Sequence, residues 1–374
     1  MSDPRLTPLV AGLPATIPFV GPETQERARG RPFAARLGAN ESGFGPSPAA
    51  MEALGAAASE MWMYGDPESH DLRTAIAEHH GIQPDAVLVG EGIDGLLGNL
   101  VRLFVGPDDA VVTSAGAYPT FNYHVAGFGG SLHTVPYDGA HEDLQALVRT
   151  GRQVGAKLIY LANPDNPMGS WHTAAALEAA LDQLPTGALL VLDEAYADFA
   201  PPEAIPTLDT ADTRVIRLRT FSKAHGLAGL RVGYALGHPA LLGAFHRVRN
   251  HFGLSRPAQD AARASLADQA HLSRTLAKVA QAREDIAAIA RAEGLAPLPS
   301  ATNFVTIDCG ADGPFAKAVL TGLLAEDVFV RMPGVAPLDR CIRVSVGPQD
   351  AIATFARALP KALTAARKAA GTQP

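Results

Sequence analysis

From residue 87 to residue 236 one pattern repeats along the chain. Short continuous apolar runs are bounded by Gly, Pro, Asn and Asp: Val87–Val89, Ala110–Thr113, Leu132–Val135, Leu158–Leu161, Leu189–Leu192, Val215–Leu218 and Val232–Leu236. Stretches with helical periodicity, at about 94–104, 119–128, 141–150 and 173–183, fall between most of them. A Val/Leu/Ile run without polar alternation is a strand buried on both faces. Such strands, alternating with helices, build a mostly parallel sheet. The spacing therefore predicts an α/β fold around a mostly parallel seven-stranded sheet.

On either side the pattern changes. Residues 1–36 carry prolines at Pro4, Pro8, Pro14, Pro18, Pro22 and Pro32 and read as an irregular arm, packed on the small domain or on a partner subunit. Ser47 before Pro48 predicts a helix start, running to about Ser59, and Ser69 is the candidate cap of a second helix through about His80. After Arg249 an Ala/Arg-rich helical stretch runs from about Ala258 to Glu293, with Gly294 placed as a C-terminal cap. Strands at Asn303–Ile307, Val328–Arg331 and Cys341–Val346 and a helix at about 349–369 complete a smaller α+β domain. The expected division is an arm over 1–36, a large domain over 37–249 and a small domain over 250–374.

Composition narrows the function classes. Hydrophobic residues make up 47% and charged residues 18% of the chain, as in a well-filled globular core. The net charge of −7 and the lack of a recurring basic patch argue against a nucleic-acid partner. Cys309 and Cys341 fit no metal spacing and read as buried thiols in a reducing compartment. No apolar run approaches a membrane span and the N-terminus lacks a signal-peptide core, so a cytoplasmic setting is expected.

The candidate chemistry centres on Thr220 to Tyr234. Lys223 lies just beyond an apolar run, with hydroxyls at Thr220 and Ser222 before it and Arg231 among glycines after it. The chain has only six lysines against 25 arginines, so lysine is not its routine surface cation. Hydroxyls and an arginine can grip a phosphate, glycines let the backbone approach, and the amine can form an imine. Four other places add to this. Gly90-Glu91-Gly92-Ile93-Asp94-Gly95 opens a helix after a strand, where backbone amides can hold phosphate or the glycines simply make a turn. It spells G-x-G-x-x-G, yet Asp109 precedes the next strand instead of ending it, which does not fit a dinucleotide site. Asn166, in Asn163-Pro164-Asp165-Asn166-Pro167-Met168-Gly169, offers an amide at a strand end or simply makes a turn. Asp193 ends a buried strand, followed by Glu194, Ala195 and Tyr196; it is placed to keep a pyridine nitrogen protonated or to cap a helix. Tyr118 follows a strand, as a stacking ring or as core. Arg343, in the middle of an apolar strand, suits a carboxylate or a structural salt bridge.

Taken together, in order and spacing, these motifs resemble the fold-type-I pyridoxal-phosphate aminotransferases, most of all the histidinol-phosphate aminotransferases. The match runs from about Leu37 to Gly347 and also includes Ala39-Asn40-Glu41, Tyr64 and Asn303-Phe304. The resemblance implies pyridoxal 5'-phosphate as cofactor and exchange of an amino group between an amino acid or amino-phosphate and 2-oxoglutarate. In it, Lys223 carries the cofactor and shuttles the proton, Asp193 pairs with the ring nitrogen, and Asn166 and Tyr196 bind the ring oxygen. Tyr118 stacks on the ring, while Ile93, Asp94, Thr220, Ser222 and Arg231 hold the phosphate. Tyr64 reaches the phosphate of the neighbouring subunit's cofactor in a homodimer. Arg343 takes the substrate carboxylate, with Asn40 and Phe19 also on the substrate side. Arg331 and Arg340 are candidates for an anionic side chain of the substrate or, equally, surface or interface charges. Three departures stand out. Asp165-Asn166-Pro167-Met168 replaces the usual Asn-Asn-Pro-Thr, Phe19 stands near where a phosphate-binding tyrosine is usual, and the helix start Gly90-Glu91-Gly92-Ile93-Asp94-Gly95 replaces the usual Gly-Ala-Asp-Glu. The same scaffold also serves aromatic aminotransferases, decarboxylases of threonine phosphate and non-catalytic cofactor-binding domains, which are the alternatives.

Overall fold

A computed structural model describes residues 5–15 and 20–371. Its large sheet contains the seven expected strands, numbered here β1 (Val87–Gly90), β2 (Ala110–Ser114), β3 (Ser131–Val135), β4 (Leu158–Ala162), β5 (Leu189–Asp193), β6 (Val215–Thr220) and β7 (Gly233–Gly237). Their order is β1-β7-β6-β5-β4-β2-β3. Every pairing among β6, β5, β4, β2 and β3 is parallel, and only β7 runs antiparallel, to both β1 and β6. Alternate side chains of the strands feed two cores. Tyr160, Val191, Ile216 and Leu218 pack with Ile93, Leu96, Leu97 and Leu100 of the helix Gly92–Phe104. Leu161, Leu190, Leu192 and Val215 pack with Leu147 and Leu177 of the helices on the other face.

The topology brings the ends of β1, β2, β4, β5 and β6 to one edge, the place where parallel sheets take ligands. Gly233 begins β7 at that edge, opposite Gly90 and Thr220. A Cβ at Gly233 would stand 2.9 Å from the backbone of Gly92 and 3.0 Å from Arg219 O, so only glycine admits this crossing.

The C-terminal half holds a three-stranded antiparallel sheet: β8 (Ala296–Pro297), β9 (Phe304–Asp308) and β10 (Cys341–Ser345). The helices Gln269–Ala292, Gly313–Ala325 and Gln349–Ala369 cover it. Val328–Phe329 pairs in parallel with Ala35–Arg36, and Arg331 bridges to Arg343. Leu37 donates to Phe329 O and accepts from Ser345 N, so residues 35–40 run along this sheet directly into the cleft.

Local expectations needed four corrections. The arm is not irregular throughout: Pro22–Arg29 is a helix with Pro22 at its first position, Glu23 in its first turn and Gly30 left-handed after its end. Ser69 holds the N-cap position of the helix His70–His80, at φ +49°, but its side chain makes no capping bond; Asp66 supplies the acceptor, taking His70 N at 2.7 Å and Glu68 N at 3.0 Å. The long helix after Arg249 is two helices, Arg256–Ala267 and Gln269–Ala292, broken where Asp268 caps the second by accepting from His271 N at 3.0 Å. Finally, Leu254, Ala258, Ala261 and Leu266 pack with Ala50, Leu72 and Tyr234. The change of texture after Arg249 therefore does not mark a change of core.

Candidate active site

A cleft of about 660 Å³ opens at the sheet edge, between the strand ends and the C-terminal sheet. Its lining includes thirteen of the residues singled out from sequence: Asn40, Ile93, Asp94, Tyr118, Asn166, Asp193, Tyr196, Thr220, Ser222, Lys223, Arg231, Arg331 and Arg343.

The floor comes from the ends of β5 and β6. Asp193 is buried; its Oδ1 accepts from Ala195 N at 2.9 Å and its Oδ2 from the Tyr160 hydroxyl at 2.7 Å. Burial pushes its carboxyl up to about 6, against the pull of those two hydrogen bonds. Lys223 donates from Nζ to Asn40 O at 3.0 Å. The residue is half-buried. Burial first, and then the Arg343 guanidinium, bring it down to about 8.

One end of the cleft is built for an anion. The Thr220 hydroxyl donates to Ser222 Oγ at 3.0 Å and accepts from Ser222 N at 3.0 Å, while Arg231 Nη1 reaches Ser222 Oγ at 3.3 Å. Arg231 itself is left-handed, with φ +54°. Gly92, at φ +73°, opens the helix that carries Ile93 and Asp94; a Cβ there would come within 2.6 Å of Arg231 Nη2. Two hydroxyls, a guanidinium and a helix start thus converge, as a phosphate requires. Tyr118 donates to Asp94 Oδ1 at 3.2 Å, and burial raises its phenol.

The opposite wall joins the two halves of the chain. Asn40 is buried at φ +54°, a conformation asparagine tolerates. Its Nδ2 donates to the Tyr196 hydroxyl at 3.0 Å, its Oδ1 accepts from Ser345 Oγ at 2.7 Å, and its carbonyl also accepts from Asn303 Nδ2 at 2.9 Å. Burial lifts the Tyr196 phenol to about 12. Arg343 donates from Nη1 to Asn166 Oδ1 and from Nη2 to Gly38 O at 3.1 Å, and lies 5.2 Å over the Phe304 ring. Its Nε is buried with no hydrogen-bond partner among the described residues. Arg331 lines the same wall and donates to Val20 O at 2.7 Å.

The remaining sequence candidates fall elsewhere. Arg340 pairs with Asp308 at 3.0 Å and does not line the cleft, so of its two readings it takes the surface charge. Tyr64 is 77% exposed outside the cleft, its ring 5.0 Å from that of Phe252. Phe19 lies outside the described residues. Two contributors escape the sequence reading. Tyr160 looks like core in Leu158–Ala162, and only its hydroxyl in an aliphatic strand marks it. Met332-Pro333-Gly334-Val335 forms part of the cleft rim, and its Pro-Gly turn is an ordinary loop signal. The departure at Asp165 and Met168 proves to be architectural. Asp165 is buried and accepts from the Tyr137 hydroxyl and Met168 N, both at 2.9 Å, while Met168 packs on Leu338 and Cys341.

Residues 35–359 match the model of aminotransferase class I and II. The chain belongs to the class I and II aminotransferases. The family's cofactor is pyridoxal phosphate, and the cleft of this aminotransferase has the cradle, the amine and the buried carboxyl that the group calls for. The chain is 37% identical over 348 residues to the histidinol-phosphate aminotransferase of an Anaeromyxobacter strain, covering 92% of this chain and 95% of that one. The crystal structure of histidinol-phosphate aminotransferase from Sinorhizobium meliloti in complex with pyridoxal-5'-phosphate is 52% identical. It superposes with a TM-score of 0.94, covering 97% of this chain and 98% of that one. A double mutant of Thermus thermophilus aspartate aminotransferase, 22% identical over 96% of this chain and all of its own, shares the fold with a TM-score of 0.80. Among the described residues no helix is long and apolar enough to cross a membrane.

Proposed function

We propose that this aminotransferase transfers the amino group of histidinol phosphate to 2-oxoglutarate. Two guanidiniums, Arg343 and Arg331, face one cleft from bridged positions, and this observation carries the substrate reading. Histidinol phosphate brings a phosphoester where an ordinary amino acid has its α-carboxylate, and 2-oxoglutarate brings two carboxylates. Paired planar forks serve either anion. The likeness to histidinol-phosphate aminotransferases supports the same choice.

Pyridoxal phosphate, when bound, supplies an aldehyde that takes the amino group and a ring that draws electrons from the substrate Cα. The chain does the rest. Thr220, Ser222, Arg231 and the helix start at Ile93 and Asp94 would hold the cofactor's phosphate. Asp193 would keep the ring nitrogen protonated, its own carboxylate steadied by Tyr160. Asn166 and Tyr196 would donate to the ring oxygen, Asn166 through Nδ2 because its Oδ1 is occupied by Arg343. Tyr118 would pack against the ring. Lys223 Nζ would hold the group through its aldehyde and, when free, would carry the proton at the substrate Cα. With a pKa of about 8, roughly a tenth of it is the free amine at pH 7. Asn40 stands with Arg343 and Arg331 on the substrate side.

We further infer a homodimer. Met61, Trp62 and Tyr64 are exposed in one turn, with Phe252 against Tyr64, an apolar surface that a second copy would cover. In that arrangement Tyr64 reaches the partner's cofactor phosphate. The free, buried thiols Cys309 and Cys341 suit a cytoplasmic setting.

The deciding experiment follows the visible band of the bound cofactor. It is expected to convert to the amine form with histidinol phosphate at least 100-fold more efficiently than with phenylalanine or aspartate, and 2-oxoglutarate should restore it. A faster conversion by an aromatic amino acid, or CO₂ release from threonine phosphate, would overturn the substrate assignment.

A further inference from the structure

We propose that Glu194, clamped by Arg217 and Arg219, is a positioning residue that sets the spacing between the two halves of the cofactor site. The halves sit on neighbouring strands. β5 ends in Asp193, and β6 ends in Thr220 and leads into Ser222 and Lys223. Their backbones pair in parallel, Leu192 opposite Arg217 and Asp193 opposite Leu218, and Glu194 N donates to Leu218 O at 2.8 Å as the last link.

Side chains alternate across a strand, so consecutive residues work on opposite faces. Asp193 shares the face of Val191 and Leu218, toward the helix that starts at the phosphate cradle. Glu194, Arg217 and Arg219 occupy the other face, directly behind the site residues. Arg217 grips Glu194 with two parallel bonds, Nε to Oε2 at 3.0 Å and Nη2 to Oε1 at 2.6 Å, and donates from Nη1 to Pro206 O at 3.0 Å. Arg219 Nε adds a bond to Oε2 at 2.9 Å. The Glu194 side chain is 1% exposed and those of the arginines 4% and 15%. Burial alone would raise the Glu194 carboxyl, but Arg219 and Arg217 hold it below the usual carboxylate range. Such a bidentate pair fixes direction as well as distance. The carboxylate on the end of one strand is thus tied to two residues of the next, one of them adjacent to Thr220. None of the three lines the cleft, so their influence on the reaction passes through Asp193 and the Thr220–Lys223 segment.

This inference rests on the cofactor roles assigned above, and its test keeps the two apart. Pyridoxal phosphate is titrated into the full-length apoprotein, reading the dissociation constant and the absorbance maximum of the bound form. Glu194→Gln is expected to weaken binding at least tenfold and to shift the band, and Glu194→Asp, with the charge kept at shorter reach, to fall between it and wild type. If Glu194→Gln lowers only the thermal midpoint and leaves affinity and band unchanged, the triad is structural and the clamp is wrong. Should that variant not fold, Arg219→Gln leaves the Glu194–Arg217 pair closed and is judged by the same two readouts. A wild type that takes up no cofactor would sink the cofactor roles themselves, and the clamp with them.

Discussion

The floor of the cleft and its far wall are built in different ways. The floor comes from the ends of adjacent parallel strands, and each contributor sits within a few residues of a strand terminus. Sheet pairing sets Asp193 opposite Leu218, two residues before Thr220, so neighbouring strand ends bring the floor residues together. The wall depends on docking two remote parts of the chain. Asn40 meets Ser345 across 305 positions, and Arg343 meets Gly38 across the same interval. The floor is therefore expected to survive small shifts between the two halves of the molecule, whereas the wall is not. Substitutions in the two regions should separate cofactor retention from substrate recognition.

The largest effect belongs to the floor. Lys223→Ala should lower kcat by about 10⁴-fold or more, because both the amine that binds the aldehyde and the proton carrier are lost. Mass analysis after borohydride treatment should find one pyridoxyl group on wild-type Lys223 and none on the variant. Arg343→Ala, on the wall, should raise KM for both substrates about 100-fold with the cofactor dissociation constant within a factor of a few. Equal losses of cofactor and substrate affinity would erase the distinction between the regions.

Tyr160→Phe is a smaller and more selective change. It removes the 2.7 Å donor to Asp193 Oδ2, a bond that lowers the carboxyl's pKa. The pKa of Asp193 should rise further, moving the acid limb of the kcat profile to higher pH and costing about tenfold in rate at pH 7.

The smallest effect is on the apoprotein's stability. Asp193 titrates near 6 in the fold and near 4 in the unfolded chain, so the native state binds more protons between those values. Its contribution is fully present below about pH 4 and is lost as pH rises through 6, a slope that Asp193→Asn should remove in urea titrations. Lys223, brought down to about 8 from 10.5, acts in a different window. There the unfolded chain binds the extra proton, so stability rises from about pH 8 toward 10.5.

The same contrast explains what the sequence could disclose. The strands were visible because a buried parallel strand is a continuous apolar run, and the floor motifs were visible because each is contiguous. Helix ends were less so. Asp66 takes the His70 amide that opens the helix while the Ser69 side chain makes no capping bond, and the break at Asp268 lies inside an unbroken Ala/Arg pattern. Tyr160 was hidden because a tyrosine in an aliphatic strand looks the same whether its hydroxyl is idle or in use. Arg331 and Arg340 could not be told apart by sequence, since both flank one short strand pairing. The partner of each, Val20 O or Asp308, is a matter of tertiary position.

The carbonyl of Asn40 has a consequence for the enzyme's working cycle. One oxygen serves as acceptor for the Lys223 amine and for Asn303, while the same residue's side chain holds Tyr196 and Ser345. Whenever the amine is engaged in chemistry, that oxygen keeps only its partner on the C-terminal sheet. The state of one nitrogen atom is thereby registered by the peptide that joins the two halves of the molecule.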